Sequence, residues 1–188
     1  EVSIIGQFYD NFHFLECIKQ RASNFDIPKY DHVVFSYHGI PERHVDKVYL
    51  DGKPCSDHSC ESEINDENTN CYKATCYATT RLLVKVLSLK DGEYSTCFQS
   101  RLGRDPWLTP YTDHVIEKLG KDGKKKVLVF SPAFVADCLE TTIEIGEEYL
   151  ELFKEHGGEE LHLVPSLNDD DDWAEALFKI IKDKIKLN

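Results

Sequence analysis

Short apolar runs alternate with longer amphipathic stretches along this chain. The apolar, β-branched runs predict strands at 2–5, 33–37, 96–99, 127–131 and 161–164. Helical periodicity predicts helices at 11–22, 79–89, 111–119, 139–156 and 173–185. Since strands and helices alternate, we expect an α/β fold, a three-layer, Rossmann-like open parallel sheet. Residues 127–130 are continuously apolar, which is typical of a parallel strand buried on both faces.

One segment interrupts this alternation. Residues 46–70 are polar and lack periodicity, and with the cysteines that follow they form a cysteine-rich insertion at 46–76. We interpret residues 1–188 as a single α/β domain with this insertion inside it. An ordered insertion that is mostly polar needs a support other than a hydrophobic core.

The excess of acidic residues limits which classes of molecule the protein is expected to bind. The chain has 22 Lys and Arg against 34 Asp and Glu, a formal net charge of -12, which disfavours nucleic acid as a partner. No apolar run approaches the ~20 residues that a membrane helix needs. The 188 residues start at Glu1 and contain no methionine, so we expect a segment upstream to have been removed.

Four of the seven cysteines fall close together in the insertion. Cys55, Cys60, Cys71 and Cys76 have the spacing C-x4-C-x10-C-x4-C, which differs from the C-x2-C pairs of zinc ribbons. Four thiolates match the ligand count of a 2Fe-2S cluster. We therefore predict a metal or cluster site, with both zinc and iron-sulfur open and with His58 as a substitute ligand.

Polar side chains follow two of the predicted strands, at the edge where ligands bind in open α/β sheets. His38 follows the second strand, where an imidazole can accept a proton or ligate a metal, or simply cap the strand end. Asp137, Glu140 and Glu144 follow the fourth, at spacings that place them on one helical face. Such carboxylates suit proton transfer or a divalent cation. A solvated acidic face with Asp137 as the N-cap would show the same pattern.

A loop after the third strand carries a third candidate group. Arg101 and Arg104 can bind carboxylates or phosphates, and Trp107 offers a flat apolar wall to a planar ligand. A purely structural loop with a core tryptophan and surface arginines would have the same sequence pattern.

Together these motifs resemble the C-terminal half of the ferrochelatase family. The stretches that carry the resemblance are FSYHGIP at 35–41, FQSR at 98–101, PWLTPYTD at 106–113, and residues 134–144 and 163–168. The resemblance covers nearly the whole chain and implies a chelatase-type half and a lyase that inserts ferrous iron into protoporphyrin IX, late in haem synthesis.

The resemblance also implies roles for individual residues. His38 and Glu140 would be catalytic and metal-binding, and Asp137 and Glu144 would join them along the path of metal or protons. The porphyrin-binding residues would be Trp107, Ser100, Gln99 and Tyr37. The insertion resembles bacterial members that hold a 2Fe-2S cluster on cysteines inside the chain, here Cys55, Cys60, Cys71 and Cys76, with structural zinc as the alternative.

The resemblance further implies that the N-terminal half of the same protein completes the porphyrin pocket and is absent here. Its partners would be a porphyrin and ferrous iron, with a cytoplasmic location; peripheral membrane contact stays open. Two other functions stay open: a cobalt or nickel chelatase for another tetrapyrrole, and a non-catalytic domain that binds an iron-sulfur cluster or porphyrin.

Overall fold

Four parallel strands form the centre of the computed structural model, which describes residue 2 and residues 4–184. The strands are β1 (His32–His38), β2 (Tyr94–Gln99), β3 (Lys126–Phe130) and β4 (Glu160–Leu163). They pair in the order β2-β1-β3-β4. Phe35 of β1 lies opposite Thr96 of β2 and Phe130 of β3, so the carboxyl ends of these three strands meet at one edge.

Helices cover both faces of this sheet. They are α1 (Phe12–Ala22), α2 (Glu42–Asp46), α3 (Tyr72–Val86), α4 (Thr112–Lys121), α5 (Leu139–Thr142), a π-helix (Glu144–Glu148), α6 (Tyr149–Glu155) and α7 (Asp171–Lys184). None of the described helices is both long and apolar enough to cross a lipid bilayer.

Alternate side chains of the strands point into two separate cores. Phe35 and Phe130 stack at 5.3 Å in the core beneath α1, α3 and α7. Val34 and Val129 face the other core, which α4, the π-helix and α6 complete. Burial on both faces explains why β3 is continuously apolar from Val127 to Phe130. The predicted three-layer α/β fold is confirmed.

The structure differs from the sequence prediction at four places. The described residues at 2, 4 and 5 lie in no strand, and residue 3 falls outside the description. Helix α3 begins at Tyr72, seven residues before the predicted start at 79, because Cys71 takes the N-cap position and joins the helix to the insertion. The predicted helix at 139–156 is divided by the π-helix. The last helix begins at Asp171, and the predicted end at 185 lies outside the described residues.

Polar contacts hold the insertion, as its composition predicts. Between α2 and α3, its regular structure is one short 3-10 helix, Cys55–Asp57. The Asp46 carboxylate accepts a hydrogen bond of 2.8 Å from the main-chain N–H of Cys55. The fully buried Asn68 side chain accepts from the N–H of Asn65 and donates to the Glu63 carbonyl.

The first residue of β1 makes stability depend on pH. Burial, aided by Lys124 and Lys118, lowers the pKa of His32 to about 4. An unfolded histidine titrates near 6.5, so the folded state binds fewer protons between these two values. The contribution of neutral His32 to the free energy of unfolding is therefore fully present above about pH 6.5. We expect the free energy of unfolding to fall by about 2 kcal/mol as the pH falls towards 4.

Urea unfolding at pH 7.5 and pH 4.5 of the protein and of a His32→Gln variant measures this dependence. Carboxylates titrate in the same range, so the difference between the two proteins isolates the histidine. Gln can keep a bond to Ser95 Oγ, which lies 2.8 Å from the imidazole Nε2. Equal pH slopes in the two proteins would contradict the assignment.

Candidate functional site

His38 ends β1 at the carboxyl edge of the sheet and is half-buried between two aromatic side chains. Its ring centroid lies 6.5 Å from that of Trp107 and 6.1 Å from that of Phe134. Its Nδ1 lies 2.6 Å from the carbonyl oxygen of Gly39. Because a carbonyl only accepts hydrogen bonds, Nδ1 must carry a proton, and in the neutral ring the lone pair is then on Nε2.

Gly39 allows the chain to turn tightly beside His38. A Cβ atom at this position would lie 2.8 Å from the Gln99 carbonyl oxygen and 3.2 Å from Trp107 Cε3. The N–H of Gly39 donates to that same carbonyl at 2.8 Å. The absent side chain thus lets β1, β2 and the tryptophan approach one another closely.

Glu140 lies on α5, after β3, and is partly exposed. Hydrogen bonds from its own main-chain N–H and from Cys138 lower the pKa of its carboxyl, and the nearby His38 lowers it further. The imidazole at the end of β1 and this carboxylate after β3 thus lie at the same edge of the sheet, on neighbouring strands. An ionised carboxylate beside an imidazole can attract a cation and exchange protons.

Glu144 begins the π-helix and ties it to the end of β2. Its carboxylate accepts hydrogen bonds from the Ser100 N–H at 2.9 Å, from the Ser100 hydroxyl and from the Tyr149 hydroxyl at 2.6 Å. Ser100 holds a left-handed backbone with φ of 63° while making these bonds. Burial first, and then the Glu144 carboxylate, raise the pKa of Tyr149, which keeps its phenol as a donor.

A buried polar chain beneath the site positions the acidic segment. Gln99 is 2% exposed; its amide nitrogen donates to the Glu140 carbonyl at 2.6 Å, and its amide oxygen accepts from Ser36 at 2.8 Å. Ser36 in turn bonds Thr112 at 2.9 Å. Gln99 therefore acts on the site through the main chain of α5, and its side chain has almost no surface for a ligand.

Asp137 lies just outside the helix that carries Glu140 and is bonded to the loop after β4. It precedes α5, whose N-cap is Cys138, so the prediction that Asp137 shares a helical face with Glu140 and Glu144 is wrong. Its carboxylate accepts from Asn168 Nδ2 at 2.9 Å and from the Ser166 N–H at 3.1 Å. Partial burial raises its pKa, but these hydrogen bonds outweigh that effect and the pKa falls. Asp137 thus fastens the loop after β4 to the start of the acidic segment.

The other sequence candidates lie at different depths. Trp107 is half-buried, and its indole N–H is buried without a hydrogen-bond partner in the described structure. Tyr37 is 2% exposed, and its hydroxyl bonds Thr80 at 2.9 Å inside the core. Arg101 pairs with Asp113 and stacks 4.2 Å above the Tyr111 ring, while Arg104 is exposed.

Three of the four clustered cysteines meet in the insertion. The sulfur atoms of Cys55, Cys60 and Cys71 lie within hydrogen-bonding range of one another and form a group able to hold a metal ion. The structure does not bring Cys76 into this group, although its side chain is also buried. The predicted four-cysteine ligand set is thus assembled only in part.

Sequence reasoning missed several residues that build the site. Phe134 packs against the imidazole, Tyr149 holds Glu144, and Asn168 holds Asp137. The sequence signal for Asn168 was an asparagine in a short polar stretch after β4, a residue type that tolerates a left-handed backbone. In the structure its φ is 53°. Tyr149 carried none, because an aromatic residue on a helix reads as ordinary core.

The fold and the edge of the sheet define a three-layer α/β protein of the chelatase type, with an imidazole and carboxylates at adjoining strand ends. A sequence model of ferrochelatase matches residues 1–185, and the chain belongs to the ferrochelatase family.

Curated bacterial proteins named ferrochelatase match this chain. A Pseudomonas fluorescens SBW25 protein is 44% identical over 179 residues, covering 94% of this chain and 52% of its own length. One from Coxiella burnetii Dugway 5J108-111 is 40% identical over 188 residues, covering 100% of this chain and 53% of its own length. The chain thus spans about half the length of the curated relatives it matches.

Proposed function

We propose that this chain carries the metal-inserting residues of a ferrochelatase, a lyase that places ferrous iron in a porphyrin to form haem. The observation that carries the proposal is the topology of the sheet. Since β1 and β3 are neighbouring parallel strands, His38 at the end of β1 and Glu140 after β3 both lie at the carboxyl edge. Metallation must remove two pyrrole protons and deliver a hydrated dication. A proton acceptor and an anionic group at one edge supply both needs.

His38 is the proposed proton acceptor. Its Nδ1 is held by the Gly39 carbonyl, so Nε2 presents the free lone pair of the neutral ring. Trp107 and Phe134 flank the imidazole and fix its orientation. The same two rings give a planar macrocycle apolar surfaces beside the reacting group.

Glu140 and Glu144 are the proposed path for iron. Glu144 lines two hollows, one shared with Glu140 and Glu148 and the other with Ser100, Asp113 and Tyr149. Carboxylate oxygens can replace the water ligands of a divalent cation one at a time. Asp137 contributes by holding the loop at Asn168, through a hydrogen bond of 2.9 Å from Asn168 Nδ2.

Porphyrin contact is proposed for Trp107 and Ser100, whose side chains reach the surface at this edge. Exposed apolar side chains at Val135 and Leu139, which is 74% exposed, lie along the same segment and fit an apolar macrocycle. We assign Gln99 and Tyr37 to positioning because their side chains are buried and bonded within the chain.

The cysteines are proposed to hold a metal whose role is structural. Cys55 and Cys60 lie within the insertion and Cys71 caps α3, so a metal bound by them would link these parts of the chain and contribute directly to folding. The resemblance implies a 2Fe-2S cluster, which stays a prediction, and zinc is the alternative.

Anaerobic metallation of protoporphyrin IX by the full-length protein tests the function. We expect insertion of ferrous iron, and a Glu140→Gln variant should lose about 100-fold in kcat/KM for iron because the anionic ligand is gone. Glu151→Gln, on the exposed side of α6, is the matched control and should keep normal turnover. The readout is the change from the free-base to the metalloporphyrin absorption spectrum.

Two outcomes would contradict the proposal. Insertion of cobalt or nickel into another tetrapyrrole without iron insertion would favour the related chelatase. Tight porphyrin binding without insertion of any cation would favour a non-catalytic domain.

A further inference from the structure

The sulfur atoms of Cys55, Cys60 and Cys71, here called the cysteine trio, lie at the separations of ligands around one ion. The Sγ–Sγ distances are 3.3 Å for Cys55–Cys60, 3.6 Å for Cys55–Cys71 and 3.8 Å for Cys60–Cys71. Zinc binds thiolates at about 2.3 Å, so two sulfurs of a tetrahedral site lie about 3.8 Å apart. The trio matches this spacing on all three edges to within about half an ångström.

A 2Fe-2S cluster does not fit this arrangement. Such a cluster takes four cysteine thiolates, two on each of its two irons. Thiolates on different irons are separated by the width of the cluster, so no three of them share a single-ion spacing. In the trio every pair is at that spacing, and a fourth sulfur is not within reach in the described residues.

Cys76 belongs to a different environment. Cys71 caps the start of α3 and Cys76 follows five residues later, which turns it about 140° around the helix axis and moves it about 7.5 Å along it. Its side chain packs against Tyr72 and lines an apolar cavity with Tyr37 and Phe14. The helix geometry therefore directs this thiol away from the trio.

Tyr49 places an oxygen at the trio instead. Its hydroxyl oxygen lies 2.6 Å from Cys60 Sγ and 3.9 Å from Cys55 Sγ, and the side chain is 6% exposed. The His58 ring stacks on the Tyr49 ring at 3.7 Å with an interplanar angle of 9°. His58 directs its nitrogens towards Asp51 at 3.5 Å and Glu67 at 3.6 Å, so it supports the tyrosine and is not aimed at the sulfurs.

We propose that the cysteine trio binds a single tetrahedral ion of the zinc class and that the Tyr49 phenol oxygen is its fourth ligand. Ligands of one such ion lie about 3.5 Å apart for oxygen and sulfur, so the phenol must move away from Cys60 Sγ when the ion binds. Cys76 takes no part in the site. Three buried soft thiolates with one oxygen donor select a zinc-like ion over magnesium or calcium, which prefer oxygen ligands alone. This site is separate from His38 and Glu140, and its existence does not depend on the proposed iron insertion.

Metal and inorganic sulfide analysis of the anaerobically purified full-length protein tests the proposal. We expect one zinc per chain and no inorganic sulfide. Replacement by Co²⁺ should give the intense visible d–d bands of tetrahedral thiolate coordination, a readout independent of porphyrin metallation. Two irons with two sulfides per chain would overturn the proposal.

Three variants test the ligand set. Cys71→Ser should lose the metal, whereas Cys76→Ser, the matched control, should retain it in full. Tyr49→Phe should weaken metal binding about 10-fold or more in competition with a chelator and shift the cobalt bands. Loss of metal in Cys76→Ser, or unchanged affinity in Tyr49→Phe, would overturn the assignment. If Cys71→Ser fails to fold, the cobalt spectrum of the unaltered protein still decides the number of thiolates.

Discussion

Replacing His38 by alanine should lower the rate of iron insertion by about 1,000-fold or more in the full-length protein. The variant loses the Nε2 lone pair that the Gly39 carbonyl leaves free, so the pyrrole protons have no acceptor at this edge. The fold should survive because His38 is half-buried and ends a strand whose core residues are unchanged. Steady-state metallation measures the loss, and thermal unfolding verifies the fold.

His44→Ala is the matched control for this prediction. His44 lies on α2 and is exposed, so its removal changes the same side-chain chemistry away from the site. We expect it to leave turnover unchanged. If the His38 variant retains turnover within a few-fold of normal, the imidazole is not the proton acceptor, and a different group at the edge must be sought.

Replacing Gln99 by alanine should reduce the free energy of unfolding by about 2–4 kcal/mol. Gln99 is 2% exposed and joins β1 to α5 through Ser36 and the Glu140 carbonyl. Alanine removes the amide group, so the Glu140 carbonyl and the Ser36 hydroxyl each lose a hydrogen-bond partner. The substitution also opens a small cavity. Urea unfolding measures the loss, and the variant should also show a raised KM for iron because Glu140 is no longer fixed.

Gln20→Ala is the corresponding surface change, since Gln20 is exposed on α1. Its free energy of unfolding should stay within about 0.5 kcal/mol of normal. A Gln99 variant as stable as this control would show that the polar chain beneath the site carries little energy. A stable variant with altered KM would instead leave the positioning role intact.

The sheet was predictable because strands and helices alternate along the chain and because β3 is a continuous apolar run buried on both faces. The helix boundaries were less predictable, since they depend on contacts made in the folded structure. Helix α3 starts at the Cys71 N-cap, inside a segment whose polarity reads as loop. The π-helix leaves no periodic mark that separates it from the α-helices on either side.

The site was predictable to the extent that topology decides it. His38 and Glu140 follow neighbouring parallel strands, so their common edge follows from the fold. The orientation of Asp137 depends on Asn168, 31 residues away, and the exclusion of Cys76 depends on the direction of a helix. A contact between segments distant in sequence decided the orientation of Asp137. The start of α3 at Cys71, which the sequence did not reveal, decided the position of Cys76.

The π-helix allows one stretch of chain both to orient Glu144 and to pack Tyr149 and Phe153 into the core. Its turn at Ile143 is shared between an i+4 bond from Glu147 at 3.0 Å and an i+5 bond from Glu148 at 2.9 Å, so the segment holds one residue more than α-helical geometry accommodates. One residue corresponds to about 100° of helical rotation. That offset allows Glu144 to meet Ser100 while Tyr149 and Phe153 stay seated in the core. Deleting a single residue here would restore α-helical geometry. Glu144 could then no longer reach Ser100 while Tyr149 and Phe153 keep their places in the core.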